Sequence, residues 1–90
     1  MSNRKRYHLI VKNDCPWCDR AKVLLDENNY RYDVDAMDDE PELLLEIKKS
    51  LQFKTVPIIW EINYLGNRSF IGAYEDLVKH LAGDKRLLIG

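Results

Sequence analysis

The sequence predicts an α/β domain, a four-stranded mixed sheet with three helices in the order β-α-β-α-β-β-α. Three observations predict it. Apolar, β-branched runs alternate with stretches whose apolar residues recur at helical spacing. The first two strands are joined through a helix, which makes them parallel with a right-handed crossover. The last two are separated by a short Asn/Gly loop and so form an antiparallel hairpin. At 90 residues the chain holds one core and one domain, 1–90, with its body at about 6–83 and a tail at 84–90.

Arg6 to Val11 reads as a buried strand, rich in β-branched and aromatic groups. Lys12-Asn13-Asp14 is a polar loop, and from Pro16 to Asn29 the pattern turns helical, with Ala21, Leu24 and Leu25 on one face with Cys18. Pro16 suits the first helical position, where a missing N–H costs nothing. Tyr30 to Asp35 alternates as a strand with Tyr30, Tyr32 and Val34 inward. The acidic stretch Asp38 to Glu42 opens a helix over about Glu40 to Leu51, and Asp39 with Glu42 resembles a capping box. Val56 to Ile62 is a strand, residues 63–67 a hairpin loop, and Arg68 to Ile71 the returning strand. A last helix is predicted over Tyr74 to Ala82, with Leu77, Val78 and Leu81 as its apolar face and Gly83 as its stop.

Fourteen basic and fifteen acidic side chains give near-neutral charge, which argues against a nucleic-acid or membrane partner held by electrostatics. The polar start Met1 to Lys5 and the short apolar run after it match neither a signal peptide nor a membrane span, so a cytoplasmic protein is expected. In a reducing compartment a lone cysteine pair points to catalysis or metal binding, because a disulfide closing so small a loop restrains the unfolded chain very little.

That pair is Cys15 and Cys18, in Cys15-Pro16-Trp17-Cys18 at the predicted helix start. Thiol–disulfide exchange needs a thiolate, a second thiol to resolve the mixed disulfide, and an accessible sulfur. Unpaired N–H groups and the positive end of the helix favour negative charge on Cys15, and Lys12 adds a cation within reach. Cys18 sits on the helix's inner face without those donors. Cys15 is therefore assigned as nucleophile and Cys18 as resolving thiol. A zinc site would need four ligands, with only His8 and His80 to complete it, and an inert pair is the other alternative.

Two further segments stand out. In Thr55-Val56-Pro57 a cis bond before Pro57 would turn the Val56 backbone outward, where an extended peptide could pair with it; a trans Pro on an edge strand is the alternative. In Ile71-Gly72-Ala73-Tyr74-Glu75-Asp76 small residues before a helix start let N–H groups approach a carboxylate, while Asp76 could cap the helix or take up an amine.

In this order these three segments resemble the glutaredoxin family, over roughly residues 6 to 83. Lys12 three residues before Cys-Pro-aromatic-Cys, the Thr-Val-Pro loop, and Gly72 to Asp76 in place of Gly-Gly-x-Asp-Asp carry the likeness. The resemblance implies a thioredoxin-like fold, a cis bond at Pro57, and glutathione as cosubstrate with no metal. It implies reduction of protein disulfides and glutathione mixed disulfides, with ribonucleotide reductase among the substrates at the level of the family. A monomer is the default expectation. It also implies a glutathione groove formed by Lys12, Trp17, Lys54, Thr55, Val56, Pro57, Tyr74, Glu75 and Asp76. There the Val56 backbone pairs with the cysteinyl portion. The Tyr74 and Glu75 amides with Asp76 hold the γ-glutamyl end, Lys12 and Lys54 face the glycine carboxylate, and Trp17 forms a wall. Three departures stand against the pattern: Ala73 replaces the second Gly, Trp17 replaces the commoner Tyr, and the 60–71 hairpin is longer than in bacterial members. A thioredoxin-like donor recycled by a reductase and a glutathione-ligated [2Fe–2S] carrier are the rival readings.

Overall fold

The computed structural model of the protein describes residues 5–89, with side chains through residue 83. The elements are β1 (Arg6–Val11), α1 (Pro16–Glu27), β2 (Arg31–Ala36), α2 (Pro41–Leu51), β3 (Ile58–Ile62), β4 (Arg68–Gly72) and α3 (Tyr74–Ile89). The strands form one sheet in the order β2-β1-β3-β4. β1 runs parallel to β2, with Leu9 opposite Val34, and antiparallel to β3, with Leu9 opposite Ile59. β3 and β4 form the antiparallel hairpin, with a register shift between Ile59 and Trp60.

The alternation of β1 divides the core between the two faces of the sheet, as a two-residue strand period requires. Tyr7, Leu9 and Val11 pack with Cys18, Ala21 and Leu25 of α1 and Leu77 and Leu81 of α3. Ile10 points the other way and meets Ile58 and Leu44 of α2. Cys18 thus belongs to the core and is 1% exposed, so the position of α1, and of the residue before it, is fixed by packing.

Several local expectations are corrected. Val34 is 39% exposed, on a strand that forms the edge of the sheet and has a neighbour on one side only; Tyr30 and Tyr32 do pack against the core. The capping box does not form. α2 begins at Pro41 with Glu40 as its N-cap and no side-chain cap bond, which leaves Asp39 one position too early. Asp38 instead accepts the Asn13 amide on both carboxylate oxygens, at 3.0 and 3.1 Å, and ties the loop before α2 to the loop before Cys15. Val78 is 39% exposed, whereas Leu77 and Leu81 face inward.

Gly83 does not stop the last helix, which continues to Ile89. Glycine in a helix interior costs only about 1 kcal/mol relative to Ala, and no proline follows it here. The tail's Leu87, Leu88 and Ile89 could by sequence either pack back on the domain or fray, and their side chains lie outside the described residues. α1 ends as expected near Asn28-Asn29. Asn29 takes a left-handed φ of 61°, and the Tyr30 amide donates to the Leu25 carbonyl at 3.0 Å. In the hairpin loop Asn63 Oδ1 accepts the amides of Leu65 and Asn67, which leaves Tyr64 and Leu65 exposed at the tip.

Candidate active site

The site forms where the N-termini of α1 and α3 meet the loop before β3. Cys15 is the N-cap of α1, and its Sγ accepts the Cys18 amide at 3.1 Å. That is the capping bond a Ser or Asp makes at this position, with sulfur as the acceptor. Cys15 and Cys18 are joined by a disulfide, with Cα atoms 5.2 Å apart. Cys15 remains partly accessible while Cys18 is buried, which gives the two sulfurs different roles toward an incoming reactant.

Val56 lies across from the disulfide, with its carbonyl oxygen 4.0 Å from Cys15 Sγ. The Val56–Pro57 bond is cis and Pro57 is buried. The β3 ladder begins at Ile58, so the Val56 backbone stands outside it. At the third wall, Gly72 has φ +124° and leads into α3. Asp76 Oδ2 accepts the Ala73 amide at 2.9 Å, and the first helical bond runs from the Leu77 amide to the Ala73 carbonyl at 3.0 Å. Asp76 therefore caps the helix, one of the two roles expected of it, and uses one oxygen to do so.

These walls enclose an open groove of about 240 Å³ lined by Trp17, Thr55, Val56, Pro57, Ala73, Tyr74, Glu75 and Asp76. Seven of the predicted site residues meet there. Lys12 and Lys54 do not line it. Lys12 lines a hollow with Met37, Asp38 and Lys48, and Lys54 lines another with Phe53 and Lys49. Ala73 lines the groove in the place of the family's second glycine. Trp17 is 47% exposed, with its ring 5.6 Å from Tyr74 and the Arg20 guanidinium 4.6 Å above it. The helical pattern places Arg20 only on the polar face of α1, and its i, i+3 spacing from Trp17 is the signal for this contact.

The histidines lie elsewhere. His8 sits between Asp35 and Arg68 at 2.5 and 2.7 Å, and His80 Nε2 is 2.6 Å from Glu61. Among the described residues no group of three or more His, Cys, Asp or Glu is placed to hold a metal ion. Glu61 Oε2 also receives the Tyr7 hydroxyl at 3.2 Å and Lys5 at 3.3 Å. Burial works against its charge, but the bonds from His80 and Lys5 outweigh that and hold the carboxyl below its ordinary range.

A family model described as Glutaredoxin matches residues 8–63. A curated glutaredoxin of Pseudomonas aeruginosa is 41% identical over 46 residues, 51% of this chain and 55% of that protein, so the match spans about half of each. Among solved structures, glutaredoxin 1 of Francisella tularensis, complexed with cacodylate, superposes with a TM-score of 0.67 at 25% identity, covering 96% of this chain and 99% of that one. A buckwheat glutaredoxin–glutathione complex gives 0.69 at 25% identity, over 90% and 73%. A Brucella melitensis glutaredoxin, at 21% identity and a TM-score of 0.66 over 96% and 87%, shares the fold. The architecture is thioredoxin-like, Cys15 and Cys18 form the redox-active Cys-x-x-Cys pair, and the chain belongs to the glutaredoxin family.

Proposed function

We propose that the protein is a glutathione-dependent oxidoreductase that reduces protein disulfides and glutathione mixed disulfides through Cys15 and Cys18. The observation that carries this reading is the placement of Cys15 Sγ. It sits at the N-terminus of α1, bonded to the Cys18 amide, beside a groove whose opposite wall offers the Val56 backbone. An amide donor and a helix N-terminus both favour a thiolate over a thiol.

In the reduced protein the Cys15 thiolate attacks one sulfur of the substrate disulfide. The S–S bond breaks, a Cys15 mixed disulfide forms, and the other sulfur leaves as a thiolate that takes a proton from water. With a protein substrate, Cys18 loses its proton and attacks Cys15 Sγ, which releases the second substrate thiol and closes the Cys15–Cys18 bond. The substrate gains two electrons and the dithiol loses two. One glutathione thiolate then opens that bond at Cys15, and a second attacks the glutathionyl sulfur. Glutathione disulfide leaves, and both cysteines are thiols again. With a glutathionylated substrate whose glutathionyl sulfur is attacked, the cycle needs Cys15 and one further glutathione only.

In this reading glutathione lies in the groove with its cysteinyl backbone paired to Val56, as in strand addition. Its γ-glutamyl carboxylate meets the first amides of α3, at Tyr74 and Glu75, which have no acceptor within the helix. Its amine meets the remaining oxygen of Asp76. Trp17 covers it, Thr55 and Pro57 complete the wall, and Lys12 and Lys54 reach its glycine carboxylate on their flexible stems. The reading takes the protein to work as a cytoplasmic monomer on disulfide proteins, ribonucleotide reductase being one such class.

The test supplies NADPH with either glutathione and glutathione reductase or thioredoxin reductase alone, and follows NADPH oxidation with a small disulfide as substrate. Turnover with the glutathione system is expected. Turnover with thioredoxin reductase alone would replace this reading with that of a thioredoxin-like donor.

A further inference from the structure

Beside the dithiol groove lies a second one, of about 430 Å³, lined by Leu45, Lys48, Lys49, Gln52, Phe53 and Lys54. Leu45, Lys48 and Lys49 stand at i, i+3 and i+4 and so form one stripe along α2, and Gln52 is the C-cap that follows it. Leu45 is 54% exposed, and the half-buried Phe53 ring is held edge-on to Phe70 with centroids 5.3 Å apart. The groove therefore offers two apolar side chains, Leu45 and Phe53, beside three lysines.

No carboxylate lines it, and among the described residues none of Lys48, Lys49 and Lys54 makes an ion pair. On a chain with 14 basic and 15 acidic side chains, that is a local segregation of charge. The lysines also continue toward the reactive cysteine. The adjoining hollow shares Leu45 and Lys48 and adds Lys12, and its one acidic group, Asp38, is occupied by the Asn13 amide. At the other end Lys54 is bonded to Thr55, which lines the dithiol groove.

We propose that this groove docks an acidic polypeptide segment flanking the disulfide of the protein's substrate, with an apolar side chain of that segment seated between Leu45 and Phe53. The proposal rests on the thiol–disulfide reading above and gives it a substrate class. Carboxylates on the segment meet the unpaired lysines, which favours encounter with acidic partners and disfavours basic ones. The two grooves meet in the chain at Lys54 and Thr55, so an extended segment of the substrate can run from this groove toward the dithiol groove. A nucleic acid is the less fitting occupant, since Leu45 and Phe53 suit an apolar side chain and only three or four lysines face the phosphates.

The test uses three glutathionylated peptides that differ only around the cysteine: Asp/Glu with Leu, Ser only, and Lys with Leu. Turnover with glutathione is measured alongside anisotropy of labelled peptides in which Ser replaces the cysteine. The acidic peptide is expected to show a KM and a Kd about tenfold below the Ser peptide at low salt, a gap that closes near ~1 M salt, where screening acts over ~3 Å. The double variant Lys48→Glu with Lys49→Glu should erase the preference while turnover of a small disulfide stays unchanged, which also shows that the variant folds. Leu45→Ser should weaken the acidic peptide alone. Equal KM and Kd for all three peptides would overturn the proposal, as would tighter binding of a single-stranded oligonucleotide to the same lysines. Acidic-peptide binding that Lys48→Glu with Lys49→Glu removes, with no turnover of any disulfide, would support the docking surface and refute the oxidoreductase reading instead.

Discussion

The Asp76 carboxylate occupies the space that a Cβ on Gly72 would need, and from there it accepts the Ala73 amide at 2.9 Å. The backbone of Gly72, at φ +124°, lies where L side chains are strained. One glycine thus lets α3 begin with its cap pressed against the preceding strand, and the α3 wall of the groove depends on that contact. Gly72→Ala is expected to lower stability by about 2–4 kcal/mol, combining backbone strain with a displaced cap. Urea unfolding measures it, and a loss within 0.5 kcal/mol, roughly the scatter of neutral surface changes, would contradict the geometry.

Gly83 should respond the other way. No atom lies within 4 Å of a Cβ added there, and the helix runs on through it. Gly83→Ala is expected to raise stability by about 0.5–1 kcal/mol, seen as a higher thermal midpoint. A destabilised variant would mean that the helix ends at Gly83.

Glu61 predicts a pH dependence. Its carboxyl titrates below the ordinary 4.5 in the folded protein. Its contribution is therefore fully present above pH 4.5 and is lost as pH falls through the lowered folded value. Urea midpoints measured from pH 6 down to 3 should drop less steeply for Glu61→Gln than for the parent. Parallel curves would remove Glu61 from the account.

Trp17 is held between two neighbours, Tyr74 and Arg20, yet stays half open to solvent. Trp17→Ala is expected to raise KM for a glutathionylated peptide about three- to tenfold, the scale of one aromatic contact, with a smaller effect on kcat. Arg20→Ala should give a weaker form of the same change. A kcat loss with unaltered KM would assign the indole to the chemical step instead.

The parts of the site that were legible in the sequence share a property: each is announced by residues adjacent in the chain. Cys15 and Cys18 around Pro16 mark a helix start, Val56-Pro57 marks a break before a strand, and Gly72 with Asp76 marks a capped turn into α3. The four strands were legible for the same reason, since a two-residue period is local. The tie of Asp38 to Asn13 spans 25 positions and that of Tyr7 to Glu61 spans 54, and no spacing rule reaches so far. The capping box was misread because Pro41 sets the helix start one residue later than Asp39 requires. The exposure of Val34 is not legible because alternation identifies a face of a strand but not that the strand lies at the edge of the sheet. The separation of Lys12 and Lys54 from the groove depends on where long side chains point, which composition does not encode.

The most direct test of the central claim compares Cys15→Ser and Cys18→Ser with a glutathionylated peptide and with a protein disulfide, both recycled by glutathione. Cys15→Ser is expected to be inactive on both. Cys18→Ser should keep deglutathionylating the peptide while losing most turnover of the protein disulfide, because only the latter needs the buried resolving thiol. Activity retained in Cys15→Ser would contradict the assignment of the N-cap sulfur as the nucleophile.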